Sequence, residues 1–370
     1  MTEVQNLLAS LVARPSVTPD DAGCQAIVRS RLESLGFASE TIDEGGVTNL
    51  WATHGSGGPL LCFAGHTDVV PTGPLDAWVS PPFEPTVRDG HLFGRGSADM
   101  KSGDAAMVVA LERLAAEGHP GTVALLLTSD EEGPGVYGTK YVLETLAARG
   151  TRIDAAIVGE PTSETAFGDT VKIGRRGSMS GTWIVEGKQG HTAYPQLAEN
   201  AIHAMAPMLF ALTEIDLGHG NAEFPPTTLQ VTNIVAGTGA GNVIPGRVEI
   251  HFNLRFGTDW TAESLQGKVE SVIGTNVAWD CSAYPFLTAP GALLESLSGA
   301  VQAVTGLSPK ASTGGGTSDA RFFAAHQIPV AEFGVINATI HAANECVRMA
   351  DVDGLVDVFV EVGRRYFATK

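Results

Sequence analysis

The run Leu60-Leu61-Cys62-Phe63-Ala64 is followed at once by Gly65-His66-Thr67-Asp68. Consecutive apolar residues with an abrupt polar stop have the form of a strand buried on both faces. Strands of that kind belong to open α/β sheets, which place their ligands outside the strand carboxyl ends. The arrangement recurs along the chain. Val123-Ala124-Leu125-Leu126-Leu127 stops at Thr128-Ser129-Asp130-Glu131-Glu132-Gly133. Ala155-Ala156-Ile157-Val158 stops at Gly159-Glu160-Pro161, and Pro329-Val330-Ala331-Glu332-Phe333 leads through Asn337 to His341. Helical spacing occupies residues 104–117, 139–148 and 352–367 between and after these runs. Strands alternating with helices predict an α/β fold, a mixed sheet with helices on both faces.

Upstream, residues 2–11 read as a short helix. Residues 20–35 read as a second, with Cys24, Ile27, Val28, Leu32 and Leu35 on one face and Gly36 as its stop. Residues 48–53 read as a strand before the Gly-Ser-Gly-Gly turn at 55–58. The middle of the chain has another rhythm. Strand 178–185, helix 200–215, strands 228–235 and 247–256, helix 262–273 and strand 278–284 spell a small α+β unit of the β-α-β-β-α-β, ferredoxin-like type. Because His341 follows this unit, the first domain is expected to be discontinuous, comprising 1–176 and 290–370, with 177–289 inserted into it.

Composition narrows the function. Against 23 basic residues stand 41 acidic ones, a formal net charge of −18. Nucleic acid and anionic membranes need basic patches, so neither is expected as a partner. No stretch approaches the roughly 18 uninterrupted apolar residues of a membrane span. The first residues show no basic segment leading into an apolar run, so no signal peptide is expected. Cys24, Cys62, Cys281 and Cys346 lie far apart and form no CxxC pair. They read as reduced thiols of a cytoplasmic protein.

The site is legible in the polar residues at the strand ends. Gly94-Arg95-Gly96-Ser97-Ala98-Asp99-Met100-Lys101-Ser102-Gly103 crowds glycines and small residues around one aspartate, just ahead of a helix N-terminus. His66, Asp68, Asp99, Glu131, Glu132, Glu160 and His341 then converge on one sheet edge. So many acids tolerate close approach only by protonating or by binding a cation. Imidazole and carboxylate without thiolate suit zinc, manganese or cobalt. Four terminal ligands and one shared carboxylate form the inventory for two ions about 3.5–4 Å apart. Adjacent residues point in different directions, so one of Glu131 and Glu132 can bind metal while the other faces substrate. Asp68, two residues past His66, is placed to orient that imidazole. His54, His91, His119 and His219 read as loop or helix-end residues, His203 and His251 as structural, and His326 is undecided. Lys172, Arg175 and Arg176 fall within five residues of a very acidic chain, an arrangement suited to a carboxylate or to ion pairs between domains. A non-catalytic metal-binding or regulatory protein would lose a ligand or the base, and all six positions are filled here; a dimeric interaction module would leave the strand-end acids without a purpose.

The stretches Gly65-His66-Thr67-Asp68-Val69-Val70-Pro71, Gly94 to Lys101, Asp130-Glu131-Glu132-Gly133 and Gly159-Glu160-Pro161 resemble the di-zinc deacylases and exopeptidases related to carboxypeptidase G and aminoacylase, in order and over essentially the whole chain. That resemblance implies a catalytic α/β domain interrupted by a smaller dimerisation domain. It implies two zinc ions bridged by Asp99, with His66 and Glu160 completing one position and Glu132 and His341 the other. It implies Glu131 as general base and a cis peptide after Asp99. Three further stretches, 172–178, 314–319 and 337–345, resemble the branch of that family that removes succinyl groups, and Gly190-His191-Thr192-Ala193-Tyr194-Pro195 fits as well. The branch implies a small anionic N-acyl amino acid as substrate, held by Arg175, Ser178, Tyr194, Asn242, Arg255, Gly316, Thr317 and Asn337. It also implies that His191 acts in the active site of a partner subunit. Sibling deacylases that remove acetyl groups share the metal site and remain the alternative. Ala320 and Ala342-Ala343 depart from the usual pattern at positions that are not ligands.

Overall fold

The Leu60–His66 strand lies inside an eight-stranded mixed sheet in the computed structural model, which describes residues 1–369. Six strands of this sheet precede the insertion: β1 (Ala38–Thr41), β2 (Asn49–Ser56), β3 (Leu60–His66), β4 (Gly121–Thr128), β5 (Ala155–Val158) and β6 (Thr170–Lys172). Four strands of a second sheet lie within the insertion: β7 (Gly177–Glu186), β8 (Thr228–Ala236), β9 (Arg247–Phe256) and β10 (Val277–Ala283). Two more strands of the large sheet follow: β11 (Lys310–Ser312) and β12 (Val330–Glu332). The large sheet has the order β1-β2-β4-β3-β5-β12-β6-β11. Strands β4, β3, β5 and β12 run parallel, so their carboxyl ends share one edge. From β3 the chain crosses first to β4 on one side and then to β5 on the other. The strand order therefore reverses at β3, and a crevice opens at its carboxyl end, where His66 sits.

Helices α1 (Glu3–Val12), α2 (Cys24–Glu33) and α3 (Lys101–Glu117) join the later helices Ala292–Thr305 and Met349–Ala368 in one apolar layer. It packs on the strand face that carries Leu61, Phe63, Leu125, Leu127 and Ile157. The alternate residues Cys62, Ala64, Ala124, Leu126 and Ala156 are equally buried, which is why these strands read as unbroken apolar runs. Every residue of α3 from Lys101 to Leu111 is buried. Its first turn comes so close to the sheet that a Cβ on Gly65 would overlap Asp104 and Met100, and one on Gly103 would overlap the Gly159 carbonyl. These glycines bring Asp99 against the ends of β3 and β5. Helix α4 (Thr139–Ala148) connects β4 to β5 and packs beside the short helix Ala320–Ala325 on the opposite face from α3. The expected α/β class and helices on both faces are thus observed.

Two compact units divide the chain. One comprises Met1–Gly174, Leu287–Ser312 and Ser318 onward, and the other Arg175–Phe286 with Thr313–Thr317. The second unit holds a four-stranded antiparallel sheet of order β8-β9-β7-β10, with α5 (Ala201–Thr213) and α6 (Ala262–Ile273). This is the β-α-β-β-α-β succession, and its core gathers Trp183, Phe252, Phe256, Leu265 and Val269. Sequence periodicity missed α7 (Ala292–Thr305) and α8 (Ala320–Ala325), which lie before and after the glycine-rich 314–316. The remaining helix, α9 (Met349–Ala368), packs on α3 and α7. Three-residue strands also escaped. Among them, Cys346–Arg348 pairs with His91–Phe93 and docks the segment after His341 beside the Asp99 loop.

Candidate metal centre

Each acidic or imidazole side chain of the centre leaves from a defined end of an element. His66 closes β3, whose register pairs it with Thr128, the last residue of β4. Glu131 and Glu132 follow β4, Glu160 follows β5, and Asp99 ends the glycine-rich loop before α3. The Asp99–Met100 peptide is cis, as the family resemblance implies. His341 sits in a turn with φ +59°.

These residues meet. One Asp99 carboxylate oxygen, Oδ1, is 3.3 Å from His66 Nε2, and the other, Oδ2, is 3.3 Å from His341 Nε2. Glu160 Oε1 is 3.6 Å from His66 Nε2, and Glu132 Oε1 is 2.9 Å from His341 Nε2. The result is two triads, His66–Asp99–Glu160 and His341–Asp99–Glu132, with Asp99 shared. Ligands at about 2.0–2.2 Å in tetrahedral array stand roughly 3.3–3.6 Å apart, so the spacing suits a zinc-sized ion. His66 Nε2 is buried, has no hydrogen-bond partner among the described residues and faces the two carboxylates. Donor set, spacing and orphaned nitrogen all fit a pair of divalent cations. Glu131 lies beside the first triad, grouped with His66 and Glu132.

The electrostatics point the same way. Burial drives the carboxyls of Glu160 and Glu131 well above the usual range, with neighbouring carboxylates adding to the effect. Burial likewise pushes Asp68 up to about 6. Burial also works to raise Asp99, but the imidazoles of His341 and His66 outweigh it and hold that carboxyl far below normal. Asp99 and Glu132 pull His341 up to about 10. Burial lowers His66, yet Asp99 and Glu160 overcome it and raise that imidazole. Without a cation, protons on the imidazoles and acids hold this cluster together.

Asp68 meets His66 through its main chain as well as its side chain. His66 Nδ1 donates to the Asp68 main-chain oxygen at 2.9 Å, while the Asp68 carboxylate is 3.6 Å away. That carboxylate also accepts the N–H groups of Glu131 at 3.3 Å and Glu132 at 3.1 Å. It shapes the Glu131–Glu132 loop, and the main chain orients the imidazole.

In the second unit, the register sets Ser178 opposite Arg255. Asn253 links them, donating to Ser178 at 3.2 Å and accepting from Arg255 at 3.0 Å. Arg175 is buried and donates to the Gly316 carbonyl at 3.2 Å, with Thr317 next in the chain. His191 pairs with Val243, next to Asn242, and its ring stands 5.8 Å from that of Tyr194. His191 Nδ1 accepts the Ala193 N–H at 3.0 Å, which leaves the proton on Nε2. Asn337 belongs to the first unit, where its N–H donates to the Ser163 carbonyl at 3.0 Å. Two residues without an assigned role, Arg95 and Glu345, form a buried ion pair at 2.7 Å beneath the centre. Their signal was present, one inside the glycine-rich loop and one four residues past His341.

A match to the family described as Peptidase family M20/M25/M40 spans residues 62–365. This chain belongs to that family. The M20 match covers all seven residues of the centre, from His66 to His341. A protein of Azoarcus sp. (strain BH72) named "Succinyl-diaminopimelate desuccinylase" is 53% identical over 360 residues, 95% of each chain. A protein of the same name from Thiobacillus denitrificans is 54% identical over 365 residues, 97% of this chain and 93% of its own. Among solved structures, an M20 family metallo-carboxypeptidase from Sulfolobus solfataricus superposes over the full length of both chains with a TM-score of 0.82 at 16% identity. That likeness establishes the M20 fold alone.

Proposed function

We propose that this chain is a metal-dependent amide hydrolase that cleaves N-succinyl-LL-diaminopimelate to succinate and LL-diaminopimelate, on the route to lysine and cell-wall precursors. The observation that carries the reading is Asp99, which offers one oxygen to each of two imidazole–carboxylate triads in a chain more than half identical to relatives of that name. His66, Asp99 and Glu160 would hold one divalent cation and Asp99, Glu132 and His341 the other, zinc in this reading with cobalt or manganese able to substitute. When bound, such ions would supply Lewis acidity toward the amide carbonyl and the attacking water.

The chain's own residues do the rest. Glu131, half-buried and raised in pKa first by burial, takes the proton of the water and returns it to the leaving amine. Asp68 fixes where that carboxylate begins by accepting the N–H groups of residues 131 and 132. His191 carries its proton on Nε2, the tautomer that donates a hydrogen bond to a developing oxyanion. Arg175 and Arg255 meet substrate carboxylates, and Ser178, Tyr194, Asn242, Gly316, Thr317 and Asn337 supply the remaining polar contacts. Burial lowers the pKa of both Arg255 and Arg176 and Arg255 adds to it at Arg176, a cationic pair suited to an anion.

The second unit supports a homodimer. Helix α5 exposes Phe210 and Ile202 and packs beside β8, an edge strand exposing Ile234 and Val235. An unpaired edge with apolar neighbours suits a second copy of the same strand. Four free cysteines, and no helix among the described residues long and apolar enough to cross a membrane, accord with a cytoplasmic enzyme. The test is a coupled assay of succinyl-diaminopimelate against acetylornithine, with chelator and then with zinc restored. Preference for the succinylated substrate, abolished by chelation and recovered with zinc, is expected. Equal or better turnover of acetylornithine would assign the chain to the acetyl-removing branch.

A further inference from the structure

The buried Arg95–Glu345 pair ties together two segments that lie far apart in sequence and each supply a ligand to one triad. Glu345 is fully buried and all its acceptor positions are used. Its Oε1 accepts the N–H groups of Ala98 at 2.9 Å and Asp99 at 3.0 Å. Its Oε2 accepts the Gly96 N–H at 2.9 Å and Arg95 Nη1 at 2.7 Å. The carboxylate therefore holds the main chain of the loop that carries Asp99. Arg95 turns the other way. Its Nη1 donates to the Ala342 carbonyl at 3.3 Å, and its Nη2 to the carbonyls of His341 and Pro71 at 3.4 Å. The guanidinium thus grips the main chain that carries His341.

That grip matters because the His341 turn is irregular and exposed, held otherwise by the Cys346–Arg348 strand pairing and by Thr339, which bonds the Cys346 main chain. The His341 side chain is 51% exposed, and its turn has left-handed backbone at both His341 (φ +59°) and Asn344 (φ +61°). These conformations are rare outside glycine and persist only where the surroundings enforce them. Asn344 adds a second clamp, accepting the Val79 N–H at 2.7 Å and donating to the Ala77 carbonyl at 3.0 Å. By contrast, His66 and Glu160 are set by β3 and β5, and the ion pair makes no hydrogen bond to either.

Resting on the dinuclear reading above, we propose that the Arg95–Glu345 pair is a positioning device that sets one of the two metal positions, that of Asp99, Glu132 and His341, without touching substrate. Four charge-assisted or main-chain bonds on one carboxylate make the pair a rigid spacer between the Asp99 loop and the His341 turn. Removing one partner strands the other in the interior, so conservative variants are the informative ones. Arg95→Lys keeps the charge but cannot reach the His341, Ala342 and Pro71 carbonyls together with Glu345. Glu345→Asp keeps the carboxylate but withdraws it from the N–H groups of residues 98 and 99.

Metal-stripped wild type and both variants are titrated with cobalt, following bound stoichiometry by equilibrium dialysis and site geometry by the visible spectrum. Wild type is expected to take up two ions. Each variant is expected to bind the first with unchanged affinity and the second about 10- to 100-fold more weakly, with kcat recovering as cobalt is raised and KM for substrate unchanged. Equal weakening of both positions, or full occupancy despite lost activity, would overturn the assignment. So would failure of both variants to fold, since that marks a purely structural pair. A wild type that binds fewer than two ions would instead refute the dinuclear centre itself.

Discussion

His66 Nδ1 lies 2.9 Å from the main-chain oxygen of Asp68 and 3.6 Å from the carboxylate of the same residue. A carbonyl only accepts, so Nδ1 carries a proton, and Nε2 is the nitrogen turned toward Asp99 and Glu160. The peptide backbone has taken the orienting task that a carboxylate performs in many metal sites. The Asp68 carboxylate is thereby released to hold the N–H groups of Glu131 and Glu132.

Asp68→Ala should therefore leave the ion at His66 in place while loosening the Glu131–Glu132 loop. We expect kcat to fall about 10- to 100-fold, with the His66 position still filled. Metal analysis beside steady-state kinetics decides it. Loss of the ion at His66 with kcat intact after refilling would show that the carboxylate orients the imidazole after all.

Glu131→Gln separates base from ligand. The two triads are complete without Glu131, so two ions should remain bound. A general base contributes about 10²- to 10⁴-fold, and kcat should drop by at least that much. Retained turnover, or the loss of one ion, would move Glu131 from base to ligand.

How far the sequence could be read follows from which signals are local. Unbroken apolar runs announced β3, β4 and β5 because those strands are covered on both faces, and each polar stop marked a residue of the candidate centre. Asp99 was legible through its glycines, since close approach of α3 to the sheet forbids a Cβ at Gly65 and Gly103. Main-chain partners were not legible. No side-chain pattern reveals that the Asp68 carbonyl lies closer to His66 than its carboxylate does, or that Glu345 reaches back to three N–H groups of the Asp99 loop. Three-residue strands such as Cys346–Arg348 carry too little periodicity to be seen, although that one docks the His341 turn. Helix α7 was missed although Leu293, Leu297, Ala300 and Val301 form its buried face, a spacing that was open to reading.

Metal removal should make stability fall with rising pH. His341 is raised to about 10 by Asp99 and Glu132, against an ordinary value of 6.5. An imidazole with a raised folded-state pKa stabilises the fold fully below its unfolded pKa and loses that contribution as pH climbs through the folded one. In the stripped protein the loss runs from pH 6.5 to about 10. The side chain is half exposed, so screening keeps the effect modest. In the loaded protein the imidazole is neutral at every pH where metal binds, and binding releases its proton. The gap in melting temperature between loaded and stripped protein should therefore widen from pH 6.5 to 9.5. A constant gap would show that His341 does not carry the proton in the stripped form.

His191 gives the sharpest test of the proposed dimer. Its Nδ1 is occupied by the Ala193 N–H, so Nε2–H is the donor it has to offer, and removing it should cost about 10²- to 10³-fold in kcat if it meets an oxyanion. If that oxyanion belongs to the other subunit, the defect is shared between chains. A His191→Ala subunit contributes an intact metal centre, and a Glu131→Gln subunit contributes an intact imidazole. Co-refolded in equal amounts, half of the dimers are mixed, and each mixed dimer restores one complete site. Two nearly inactive proteins should together regain about one quarter of the wild-type kcat per subunit, a statistical expectation for random pairing of C₂ dimers. Activity no greater than the sum of the two separate variants would place His191 in the active site of its own chain or outside the reaction.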